Sequence, residues 1–263
     1  MFFETVARQD AAFAGGPPRA KVAVIGAGPS GLATMIALMR RFHRPFEAWI
    51  VGAEDAPAAT FGDGLDGGAL TAEPARELSV IPDRPDDFSG WLTENFLSNG
   101  VITALRGPQD LHVPRTVFRD YLMARFGEAL CFRKDVRIRT MRATVRDVRA
   151  ESDGVHIGFL DGESAVFDHV FLASGFGHAQ PLTLVDPSAR ALAGLLGYDP
   201  ATLSVDDCGR LLGNGEPLAG FSIVGTIAAR LRPGPFSFAE TVRQVYRSVL
   251  AAPLHRPARA SRS

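Results

Sequence analysis

The chain has 263 residues, 46% of them hydrophobic, enough to bury one large core or two small ones. With 28 basic against 29 acidic residues, a formal charge of -1 and a pI near 6.6, it has no field that argues for nucleic acid or an anionic membrane as partner. Cys131 and Cys208 stand far apart, with no CxxC and no neighbouring histidine, so no metal or redox pair is read and both are expected to be buried apolar spectators.

In chain order, residues 1 to 20 carry Glu4, Arg8 and Asp10 where a signal peptide would be unbroken apolar, and end in Gly15-Gly16-Pro17-Pro18. They read as a mobile leader. No run approaches the ~18 apolar residues of a membrane span, so a soluble, cytoplasmic protein is expected. KVAVIGAG reads as a buried parallel strand. The helix after it has Leu32, Met35, Ile36 and Met39 at three- and four-residue spacing and a basic end at Arg40, Arg41 and Arg44. Phe46 to Val51 is a second strand, which completes a βαβ opening. Residues 52 to 82, rich in Gly, Ala, Asp and Pro, read as a long functional loop.

Two helices follow, one over about Asp86 to Leu97 and one from about Arg115 to Leu130 with Val117, Phe118, Tyr121, Leu122 and Phe126 as its apolar stripe. From Met141 the pattern alternates. Val155, Ile157 and Phe159 face one way, Asp161-Gly162 turns the chain, and Val166 to Ala173 returns, a small antiparallel β unit feeding the buried strand HVFLASG. Residues 176 to 220 are only weakly patterned. A last strand, Phe221 to Gly225, precedes a helix from about Ser237 to Leu250, and residues 253 to 263 form a basic tail.

Gly26-Ala27-Gly28-Pro29-Ser30-Gly31 lies directly after an apolar strand and directly before an amphipathic helix, which is where the dinucleotide fingerprint belongs. Gly26 permits the tight turn, Gly28 lets backbone approach a pyrophosphate, and Gly31 lets helix and strand pack closely. The phosphates would meet free amides and the positive end of the helix. Gly62-Asp63-Gly64-Leu65-Asp66-Gly67 fits the same pattern without the strand and helix, and is rejected as a nucleotide site. The ribose-binding acid should end the second strand, yet Gly52 stands there; Glu54, two residues on, is the candidate, against the reading of an ordinary loop acid.

Four segments, KVAVIGAGPSGLA, ELSVIPDRPDDFSGWL, VPRTVFRDYL and DHVFLASGFG, together with the late strand FSIVG, resemble the FAD-NAD(P)-binding proteins related to flavin monooxygenases. The resemblance implies an α/β fold, a Rossmann-like FAD-binding domain with a parallel sheet plus the small antiparallel unit. It implies FAD as cofactor, its pyrophosphate held at Gly26, Gly28, Pro29, Ser30 and Gly31. It places the backbone of Val145 near the adenine, Ser174 and Gly175 in a turn passing the cofactor, and Gly225 with Thr226 at the flavin end. The last helix would point its N-terminus at the flavin. Arg115 and Ser79 occupy family motif positions, although Ser79 replaces the usual Asn.

The family's nicotinamide domain is usually inserted after the ASG-like turn, whereas here only 45 residues, Phe176 to Gly220, lie before the late strand. The chain is therefore divided into a leader (1–20), a first FAD-domain part (21–178), a short connection in place of the nicotinamide domain (179–220), a second FAD-domain part (221–252) and the tail. The function expected is an FAD-dependent oxidoreductase of monooxygenase, oxidase or dehydrogenase type acting on a small metabolite, with NAD(P)H only a transient electron donor. The alternative is an accessory FAD-binding subunit that works with a partner protein. A separate reductase and a homodimer are left open as partners. His178, directly after the ASG turn, is a candidate proton donor or acceptor, against the plainer reading of a loop histidine bonded to backbone.

Overall fold

The computed structural model describes residues 19–52, 69–97, 108–173, 203–225, 227–228, 231 and 237–254. β1 (Ala20–Ile25) leads through α1 (Pro29–Arg41) to β2 (Phe46–Gly52). α2 (Asp87–Leu92) and α3 (Arg115–Cys131) precede β3 (Arg137–Arg142). β4 (Val145–Glu151), β5 (Gly154–Phe159), β6 (Ser164–Phe167) and β7 (His169–Leu172) follow. β8 (Leu203–Val205), β9 (Arg210–Gly213), β10 (Glu216–Ile223) and α4 (Phe238–Ala251) close the described chain.

Seven strands form one sheet in the order β3-β2-β1-β7-β10-β9-β8, and β4-β5-β6 form a separate antiparallel sheet. From β3 to β10 the main sheet is parallel; β9 and β8 extend it antiparallel at one side. Parallel strands covered on both faces need apolar residues throughout, and β1 shows why its sequence is so uniform. Val22 and Val24 belong to the helix-side core with Leu32, Met35, Phe118, Tyr121, Val242 and Val245. Ala23 and Ile25 face the other way, onto Val155, Ile157, Phe159 and Phe167 of the small sheet. The result is three layers: helices, main sheet, small sheet. This is the Rossmann-like α/β architecture expected from the sequence.

The apolar stripe of α1 is buried as expected, and so is every residue from Gly31 to Met39, because α3 and α4 cover the flanks that an amphipathic helix would leave to water. In the third helix Phe118, Tyr121, Leu122 and Phe126 are buried while Val117 is only partly so. The helix over 86–97 is α-helical for Asp87–Leu92 and then widens to a π turn over Thr93–Leu97. Cys131 departs from expectation: it ends α3 and is exposed, while Cys208 is half-buried.

Three strands escaped the sequence reading. β3, RIRTMR, buries only Ile138, so its single covered position gives no alternation to read. β8 and β9 lie in the weakly patterned segment, and the late strand begins at Glu216 instead of Phe221. Their signal was Asn214-Gly215, both at positive φ (52° and 83°), the two-residue turn that joins β9 to β10. Between β7 and β10, His169 is buried with its Nε2 3.0 Å from Ser222 Oγ. Burial alone pushes its pKa down to about 3, so the ring is neutral and serves as a cross-strand tie.

Candidate functional site

The chain winds from β1 to β2 and β3 on one side and to β7 and β10 on the other, so the strand order reverses at β1. In open α/β sheets ligands bind beyond the carboxyl ends of the strands at such a reversal. The glycine turn occupies that place. Gly26 has φ 110°, a conformation that favours glycine, and its N–H donates to Val51 O at 2.7 Å. A Cβ at Gly31 would lie 2.0 Å from Gly26 O and 3.6 Å from Val24 Cγ1, so the helix start sits directly on the strand end.

Gly28 differs. It is the extended N-cap of α1, and a Cβ there would meet nothing within 4 Å, so its backbone faces open space. Pro29 fills the first helical position, where a missing N–H costs nothing. Among the described residues no side chain caps this helix end, and no acid stands in its first turn. Such an end leaves amide donors unsatisfied and a partial positive charge of about half a unit, which suits a phosphate.

Other parts of the chain meet the turn. Gly225, just past β10 with φ 80°, packs on Ser30: a Cβ would fall 2.3 Å from Ser30 Oγ. Ser30 O in turn accepts the buried Thr34 hydroxyl at 2.7 Å. Beside the end of β2, Ala143 N–H donates to Gly52 O at 2.9 Å, which sets the start of β4, and with it Val145, at the edge of β2 and β3. α3 runs back ahead of β3 as α1 runs back ahead of β2, so Arg115, its first residue, starts at the same edge; its N–H donates to Ala69 O at 3.0 Å. Gly26, Gly28, Pro29, Ser30, Gly31, Val145, Arg115 and Gly225 thus share one edge of the sheet. Glu54, Ser174, Gly175, His178, Thr226 and the second glycine pattern lie outside the described residues.

Ser79 turns out to organise its own loop. Its buried hydroxyl donates to Arg84 O at 2.7 Å and accepts from Ile81 N–H at 3.1 Å. Beside it, Val80 N–H donates to Tyr121 Oη at 3.0 Å, and Tyr121 Oη donates to Asp87 Oδ2 at 2.9 Å. The same buried carboxylate takes Arg125 Nε at 2.7 Å and Arg84 at 3.2 Å. Burial, then the charge of Asp87, pushes the Tyr121 phenol well above its ordinary range, so it stays a neutral donor. The two segments ELSVIPDRPDDFSGWL and VPRTVFRDYL are therefore one tied unit. At its rim Phe118 meets Phe238 edge-on, with ring centroids 5.1 Å apart.

α4 starts where the sequence reading placed it, at Ser237; what that reading missed is how its first amides are held. Ser237 is its N-cap, accepting from Glu240 N–H at 3.2 Å, and Ser237-Phe238-Ala239-Glu240 is a legible capping box. Glu73, from the other half of the chain, accepts Phe238 N–H at 3.1 Å. Nothing local in the sequence announces that pair, since 165 positions separate its members. Away from this edge, Glu151, Asp153 and His156 meet at the β4–β5 turn. The 2.8 Å bond from His156 Nε2 to Asp153 raises the imidazole pKa and accounts for their grouping.

The family model described as FAD-NAD(P)-binding matches residues 23–177, from the second half of β1 through the glycine turn and both tied segments to just beyond β7. The chain belongs to this family. No curated protein matches the sequence. Among solved structures, this family member is similar to HlmI at 14% identity and TM-score 0.48, over 89% of this chain and 91% of that one. Tetracycline destructase Tet(51) is 19% identical with TM-score 0.42, over 74% of this chain and 45% of that one. Cyclohexanone monooxygenase from Rhodococcus sp. Phi1 bound to NADP+ is 16% identical with TM-score 0.41, over 63% of this chain and 28% of that one. The chain thus spans less than half of the length of the last two. Among the described residues no helix is long and apolar enough to cross a membrane.

Proposed function

We propose that the chain binds FAD at the Gly26–Gly31 turn and works as a flavin-dependent oxidoreductase on a small-molecule substrate. The observation that carries this reading is the start of α1: among the described residues it has no cap and nothing within 4 Å above Gly28, its first turn holds no acid, and it lies at the reversal of strand order. FAD is favoured over a nicotinamide dinucleotide because β10 and α4 return to the same edge and Gly225 closes on Ser30, giving the cofactor a second wall. When bound, the flavin supplies two-electron chemistry. The chain's own residues bind and orient. Amides at the start of α1 hold the pyrophosphate, Val145 lies toward the adenosine, Arg115 adds a positive charge at the edge, and the apolar strand ends around Ile25 and Leu172 keep water from the far side. Substrate, transient NAD(P)H or a separate reductase delivers the electrons.

Mass spectrometry of the ligand released by denaturation, after reconstitution with excess FAD, tests the reading. FAD at close to one per chain is expected. FMN alone, or no nucleotide, would overturn it. Bound FAD that neither a nicotinamide nor any substrate bleaches would instead favour an accessory FAD-binding subunit working with a partner protein.

A further inference from the structure

α1 and α4 both start at the carboxyl edge of the sheet, and the chain treats their N-termini in opposite ways. At the start of α1 no described side chain caps the amides. At the start of α4, Ser237 Oγ takes Glu240 N–H and the Glu73 carboxylate takes Phe238 N–H. Glu73 is held in place by backbone on both sides: Thr71 N–H donates to Val113 O at 2.8 Å, Ala75 N–H donates to Leu111 O at 2.9 Å, and Thr71 Oγ1 donates to Glu73 O at 2.9 Å. The acid of the first turn, Glu240, is drawn along its own helix by Arg243 and Arg247. At the first-turn amides themselves the Glu73 carboxylate thus opposes the roughly half positive charge of the helix end and outweighs it, while Arg243 and Arg247 answer Glu240 further along the helix.

The two ends differ in what they would face. In Rossmann units the adenosine ribose lies at the end of the second strand, here on the β2 and β3 side. The half of the dinucleotide beyond the pyrophosphate therefore runs the other way, toward β7, Gly225 and the start of α4. Building on the FAD reading above, we propose that Glu73 is a positioning residue for charge: it sets a negative field at the redox end of the cleft and so makes reduction of the bound flavin harder. A bound flavin reduced at neutral pH would carry one negative charge, with two electrons supplied by the reductant and one proton by solvent. A bare helix end would favour that charge; Glu73 opposes it.

Glu73→Gln keeps an acceptor of the same size and removes the charge. The FAD-loaded full chain is reduced anaerobically by dithionite against a dye of known potential. The variant is expected to be reduced more easily, with a tenfold change in the two-electron equilibrium, a rise of about 30 mV. Ser237→Ala removes a neutral cap from the same helix end, so it is expected to lower the melting temperature and leave the potential in place. Glu73→Ser, which leaves the amide to water, gives the same reading if the glutamine variant does not fold. Equal potentials in wild type and the Glu73 variants, or an equal rise in Ser237→Ala, would overturn the inference while the FAD reading stands. If no form retains FAD, that reading fails and the inference falls with it.

Discussion

A methyl group added at Gly31 would lie 2.0 Å from Gly26 O with Val24 behind it, whereas one added at Gly28 would meet nothing within 4 Å among the described residues beyond its chain neighbours. Neither the strand end nor the helix start can yield at Gly31, so Gly31→Ala should cost about 1–3 kcal/mol, as overpacking does, or more. Gly28 is already extended, with φ -76°, and accepts a β-branched residue without strain. Gly28→Val should therefore melt close to wild type and yet emerge from gel filtration without flavin absorbance, its side chain standing where the pyrophosphate would lie. A folded Gly28→Val variant that keeps FAD would show that the turn does not face the phosphates. At this scale the turn was legible because backbone conformation and close approach select glycine directly. Glu73 was not, because its role depends on a partner 165 positions away.

Between elements, the ties are made by a few buried polar groups. Tyr121 on α3 bridges Val80 N–H and the Asp87 carboxylate at the start of α2, and Asp87 also holds Arg125. Tyr121→Phe keeps the ring among Phe88, Trp91 and Phe118 but leaves the Val80 amide without its acceptor. A buried donor left unpaired costs about 1–3 kcal/mol, and each kcal/mol moves the midpoint by roughly 2–4 °C in a chain of this size. Thermal melts of Tyr121→Phe should show that drop, and an unchanged midpoint would mean that water replaces the phenol. The helices α1 and α3 were readable from three- and four-residue apolar spacing, because each buries a long apolar stripe in the helix-side core. β3 was hidden, since as an outer strand it buries only Ile138. β9 was hidden by composition, although Asn214-Gly215 marked its turn.

For the whole molecule, the weakly patterned segment before the late strand decides how a nicotinamide could bind. Its described part is spent on the main sheet: β8 and β9 add to β10 as antiparallel strands, with Val205 and Leu211 buried in the core against the small sheet. What is left between Ala173 and Leu203 is 29 residues. One βαβ unit alone takes about 30 residues and a full dinucleotide domain on the order of 100. A hydride donor meeting the FAD-loaded protein would then reach the flavin without an adenosine pocket of its own, and most of the binding energy of NADH or NADPH resides in that lost contact. Weak affinity is expected, with a dissociation constant of about 1 mM. Calorimetric titration of the FAD-loaded chain with each nucleotide measures it. A micromolar constant for either one would mean that residues 174–202 build a nucleotide pocket that their length and glycine pattern do not announce.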